Sequence, residues 1–157
     1  MSLTYFYHWL DKTALSQRLQ ASTYFFPVTE VFHLIGLMIL LGAAVVLCLR
    51  LLGFGLKQPA SEIYRGMWAW TWFGLILVWG TGIVLMIAEP AKLSSNAAFP
   101  YKLTFLFAGL ALQFFACLVL LKPGRAEASP GMSKAVAILI LICWFGAGVA
   151  GRAIGFV

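Results

Sequence analysis

Glu30 and His33 are the side chains of this sequence best placed to do chemistry. Three residues apart, they share one face of a helix, and Gly36 and Leu40 continue that face. His33 belongs to the apolar segment Val31–Arg50, and no other long apolar stretch contains a histidine. An ionisable group in hydrocarbon is costly and is ordinarily held by a partner, a cofactor or a proton path. Glu30 can hold one imidazole nitrogen and fix the tautomer, which leaves the other for a metal, a quinone or a proton. The plainer alternative is an interfacial Glu30 and a His33 hydrogen-bonded to a neighbouring helix. Glu30-xx-His33 is also half of a di-iron carboxylate motif, but the second half is absent, which rejects that site.

The elements that position these residues follow from composition. Of 157 residues, 62% are hydrophobic and 10% charged, with a mean hydropathy of +0.95, so the chain cannot furnish a soluble surface and reads as an integral membrane protein. A bilayer core needs about 20 helical residues. Four apolar runs reach that length: Val31–Leu49, Gly66–Ala88, Leu103–Leu121 and Ala135–Gly151. They predict one all-α membrane domain, a four-helix bundle with transmembrane helices over about 29–52, 66–89, 101–122 and 133–154. Gly53–Pro59, Glu89-Pro90 with Ser94-Ser95-Asn96, and Lys122-Pro123-Gly124-Arg125 separate the runs, and Ser133 is the expected N-cap of the last. The first thirty residues mix Tyr5, Phe6, Trp9 and Leu10 with Asp11, Lys12, Gln17 and Arg18. That segment is too polar to span and lacks a signal-peptide pattern, so residues 3 to 20 are expected as an amphipathic helix in the interface.

With four spans, the start of the first, the end of the second, the start of the third and the end of the fourth share one side of the membrane. Glu30 with His33, Glu89, Tyr101 with Lys102, and Arg152 occupy those positions. The sequence therefore predicts a polar mouth, with Trp79, Met86 and Gly146–Gly151 near it in depth. Arg152 is either a snorkelling cation or a salt-bridge partner of Glu30 or Glu89. Lys102, at a helix start, opposes the helix dipole and calls for a local anion. As a haem site the mouth offers His33 as axial ligand with His8 or Met86 as the second. Met67, Met132, Cys48, Cys117 and Cys143 differ in depth and read as packing rather than copper ligands.

Other classes are excluded. The net charge of +6 has no basic stripe with interleaved aromatics, so no nucleic-acid partner is expected; it suits anionic lipid instead. The three cysteines form no CxxC or CxxCH, which excludes covalent haem and zinc-knuckle motifs. Trp68, Trp70 and Trp72 are expected to anchor at an interface. Ala147-xxx-Gly151-xxx-Gly155 gives a smooth stripe for packing inside the bundle or on another subunit. Lysines and arginines divide six to five between the two sides, favouring termini outside the cytoplasm.

His33, Arg50-Leu51-Leu52-Gly53, Glu89-Pro90 and Phe99-Pro100-Tyr101-Lys102-Leu103 together resemble an uncharacterised bacterial family of small four-helix membrane proteins. That resemblance covers most of residues 24 to 155 and implies the fold but no activity. His33 with Arg50-Leu51, and Lys102-Leu103, also resemble the CopD-like group that includes the HemJ-type protoporphyrinogen oxidase. This second resemblance implies haem binding, with His33 as axial ligand and Lys102 as a functional cation; the following stretch, Leu110–Ala116, contains no histidine. The expectation is a redox-associated protein of a bacterial inner membrane with a haem b or quinone site at His33, Glu30 orienting it and Lys102 and Arg152 balancing anionic oxygens. The alternative is a non-catalytic accessory subunit or scaffold of a larger membrane complex, or a homo-oligomer; a small transporter or copper-handling protein is a third reading.

Overall fold

Lipid offers a backbone no hydrogen-bond partners, so an apolar chain satisfies its own N–H and C=O groups as helices. The computed structural model describes residues 3–55, 58–120 and 129–156, and no strand occurs among them. Four helices are long and apolar enough to cross a membrane: α3 (Phe25–Leu52), α4 (Ala60–Ala88), α6 (Ala98–Phe115, prolonged by a π-helical turn over Ala116–Leu120) and α7 (Pro130–Ala153). Three short helices lie outside them, α1 (Leu3–Asp11), α2 (Ala14–Ala21) and α5 (Pro90–Ser95).

The spans begin earlier than the apolar runs. Prolines explain most of the difference, because a proline in the first turn removes an N–H that had no partner anyway. Pro27 and Pro100 are the third residues of α3 and α6, and Pro59 immediately precedes α4. Ser129, not Ser133, caps α7, its hydroxyl accepting from the Met132 N–H at 3.3 Å with Pro130 as the first helical residue. The early start of α4 places Trp68 two turns inside the helix instead of at its opening. At the other end of α3, Gly53 adopts φ +96°, and the Gly53 and Phe54 N–H groups reach back to Arg50 and Leu49. That is a Schellman stop, which the left-handed conformation reserves for glycine. Lys57 and the Lys122-Pro123-Gly124-Arg125 stop lie outside the described residues.

The segment expected as one helix over 3–20 is two. Thr13 caps α2 through the Ser16 N–H and donates its hydroxyl to Leu10 O, so its side chain supplies at that point the partners that a continuous helix would have supplied. Gln20 then donates to Asp11 at 3.0 Å and to Ser16 at 2.9 Å, tying the second piece back on the first.

Packing pairs α3 with α4 and α6 with α7, and joins the pairs through α3 and α7. Between α4 and α6 the gap is bridged by rings, Trp72 on Phe114 and Trp79 on Phe107. Gly74 lets α3 and α4 touch backbone to backbone: a Cβ there would lie 2.9 Å from Leu40 N and 3.1 Å from Gly36 O. A dry core of Leu40, Ala44, Cys48, Val78, Ala137, Ile140 and Trp144 fills the half of the bundle that holds the end of α3 and the start of α7. Within it the Trp144 indole N–H donates to Gln113 Oε1 at 3.0 Å, satisfying two buried polar groups with each other. The opposite half is not filled, and His33 is there.

Candidate functional site

His33 is buried, about two turns into the bundle from the start of α3. Its Nδ1 lies 2.9 Å from the hydroxyl oxygen of Thr81 on α4. Thr81 donates its own hydrogen to the Leu77 carbonyl, which leaves that oxygen only a lone pair to offer. His33 is therefore the donor, with its proton on Nδ1. The other nitrogen, Nε2, is the acceptor of the neutral ring. It is buried without a hydrogen-bond partner, the one such side-chain atom among the described residues. Gly82 makes room for the ring, since a Cβ there would stand 3.3 Å from Cε1.

A cavity of about 440 Å³ opens beside this imidazole. Leu34, Leu37 and Leu85 supply apolar wall, and Ala147, Gly148, Gly151 and Gly155 create the space by what they lack. The small-residue stripe of α7 thus turns inward, toward the cavity. Its size lies within the range of small-molecule sites, about 300–1,000 Å³, as does its mixture of apolar wall and a few polar groups.

Five of the six residues expected at the mouth line this cavity, Glu30, His33, Glu89, Lys102 and Arg152, and Met86 with them. For Glu30 and His33 the plainer alternative holds, an exposed Glu30 and a His33 bonded to a neighbouring helix. Glu30 does not hold His33; Thr81 does. Glu89 pairs with Lys92 at 3.6 Å, the ion pair present among the described residues. Arg152 is exposed, its guanidinium 5.0 Å above the Phe156 ring. Lys102 is half-buried, runs along Gly151 with Nζ 3.6 Å from where a Cβ would be, and has no ion-pair partner among the described residues. Tyr101 is exposed, Trp79 packs on Phe107, and neither lines the cavity. His8, on α1, is also exposed and is not part of the wall. No group of three or more His, Cys, Asp or Glu side chains able to hold a metal ion occurs among the described residues.

The chain belongs to DUF6644, a family of unknown function. Its family model matches residues 6–157, which takes in every wall of the cavity. No curated protein and no solved structure matches the chain.

Around the site of this DUF6644 member stand three residues that sequence reasoning did not select for the site. Thr81 sits within an apolar run where threonine is an ordinary packing residue, and only the α3–α4 register sets it opposite His33. Asn96 is buried at the start of α6; its Oδ1 accepts from the Ala98 N–H at 2.9 Å and its amide donates to Ile154 O at 3.1 Å, closing α6 on the end of α7. Phe99 lines the cavity and meets Tyr7 of α1 edge-on, so the N-terminal helices reach the cavity wall. Burial raises the Tyr7 hydroxyl above its ordinary value.

Proposed function

We propose that this is a small redox-associated membrane protein whose cavity binds a quinone headgroup in its quinol form, with His33 Nε2 accepting from one ring hydroxyl and Lys102 donating to the other oxygen. The observation that carries the reading is the orphaned Nε2: an unpaired buried acceptor costs about 1–3 kcal/mol, which a ligand hydroxyl would recover. The Thr81 contact supports it by holding the ring in the tautomer that accepts. An ammonium without an ion-pair partner supplies the second polar contact, and the leucine wall suits an apolar ring. Glu30 and Glu89 are the carboxylates of the same cavity and carry protons in this reading.

Met86 favours a second reading, a haem b bound by His33 and the Met86 thioether with its propionates toward Lys102 and Arg152. Quinone is preferred because the cavity wall holds a single imidazole. The six-to-five division of cations and the sequence resemblances support a bacterial inner membrane with both termini outside the cytoplasm.

Purification in native lipid, organic extraction and a pyridine haemochrome spectrum test the reading. Quinone near one per chain in wild type and absent from His33→Ala is the expected result. Haem at that stoichiometry would replace the first reading with the second. Neither compound, together with a partner protein that also retains His33→Ala, would support the scaffold reading in their place.

A further inference from the structure

A second cavity, of about 320 Å³, lies under the N-terminal helices and is lined by Asp11, Gln20 and Ser22 as well as by the ends of α4 and α5. It shares three wall residues with the His33 cavity: Phe26, Glu89 and Lys92. Phe26 is apolar, so the polar groups that border both spaces are those of the partly exposed Glu89–Lys92 ion pair. Glu89 caps the end of α4, where Pro90 starts a new helix, and this break lets one carboxylate border both spaces.

We infer that the cavity under α1 and α2 is a water-filled vestibule and that Glu89 passes protons from it to the His33 cavity. The inference rests on the ligand reading above for the use made of the proton, whereas the route itself needs no ligand. A proton from vestibule water binds a Glu89 carboxylate oxygen and breaks from it to water in the inner cavity; the lone pair of His33 Nε2 then takes it. The ring becomes an imidazolium, its Nδ1–H stays on Thr81, and no electron moves. Each space has room for several waters at about 30 Å³ each. The charged and titratable groups bordering this path are Asp11 from α1, Glu30 and His33 from α3, Lys92 from α5, Lys102 from α6 and Arg152 from α7.

The chain has two histidines, and His8 is exposed, so it serves as an internal reference. The rate at which His33 Nε2 gains and loses a solvent proton is measured from the exchange broadening of its ¹⁵N resonance as the pH is lowered, by solid-state NMR on ¹⁵N-histidine protein in lipid nanodiscs without added quinone. Glu89→Gln is expected to slow exchange at His33 by about 100-fold, the low end of what a positioned acid–base group contributes. Glu89→Asp is expected to restore most of the rate, and Lys92→Gln, which frees the carboxylate, to raise it. His8 stays unchanged throughout. Equal rates in wild type and Glu89→Gln would overturn the route. Should Glu89→Gln fail to fold, an unaltered rate in Lys92→Gln would overturn it instead. Quinone content of the same samples separates the two ideas: slowed exchange without bound quinone upholds the route and sinks the ligand reading, and bound quinone with unaltered exchange does the reverse.

Discussion

The Nδ1 of His33 and the hydroxyl of Thr81, forty-eight residues apart in sequence, meet at 2.9 Å across the α3–α4 contact. Because Thr81 donates to Leu77, the contact has one direction, and it presents a neutral imidazole whose free nitrogen is an acceptor. Gly82 below the ring and Gly74 two turns away set the helix separation that makes it possible.

Thr81→Val keeps the shape and removes the acceptor. ¹⁵N shifts of the His33 ring should change from a single Nδ1–H tautomer in wild type to a mixture in the variant, with quinone affinity falling about tenfold, the equivalent of 1.4 kcal/mol. Glu30→Gln should leave the tautomer as it is. A tautomer that follows Glu30 and ignores Thr81 would contradict the geometry.

Gly82→Val tests the space instead of the bond. Its Cβ would stand 3.3 Å from Cε1, tighter than an ordinary contact, so the ring is expected to shift away. Bound quinone should be lost while thermal stability falls by no more than about 1–3 kcal/mol, the usual range for added methyl groups at a tight contact.

The two cations of the cavity should behave differently. Lys102 is half-buried against Gly151, whereas Arg152 is exposed over Phe156. Lys102→Met is expected to lower quinone occupancy at least several-fold and Arg152→Met to change it little, as extraction from native lipid would measure. Equal losses would place Arg152 on the ligand as well.

In the dry half, Trp144→Phe should leave Gln113 Oε1 buried and unpaired and cost about 1–3 kcal/mol in unfolding assays. Gly74→Ala sets a methyl 2.9 Å from backbone at Leu40, a contact that no rotamer change relieves. It is expected to destabilise by a similar amount and to part α3 from α4, with the His33–Thr81 bond lost as a consequence.

Much of the site was legible in the sequence because topology is a parity argument. Once four spans are counted, Glu30, Glu89, Lys102 and Arg152 must come to one end, and they line one cavity. The partner of His33 was not legible, since helix rotation and register decide which α4 side chain faces it, and Thr81 looks like any other small residue of that run. Hydropathy likewise marked where the spans are apolar but not where they begin, because Pro27, Pro59, Pro100 and Pro130 start helices in polar sequence that no apolar count includes. Thr13 divided the N-terminal helix for a similar reason: a local side-chain bond competes with helix continuation, and amphipathic spacing does not register it.

The central claim, that His33 Nε2 is a ligand-binding acceptor, is tested most directly by the ¹⁵N spectrum of that nitrogen in nanodiscs before and after adding a short-chain quinol. A shift confined to His33 Nε2, with Nδ1 still bonded to Thr81 and His8 unmoved, is the predicted result. An Nε2 resonance unchanged at saturating quinol would contradict it.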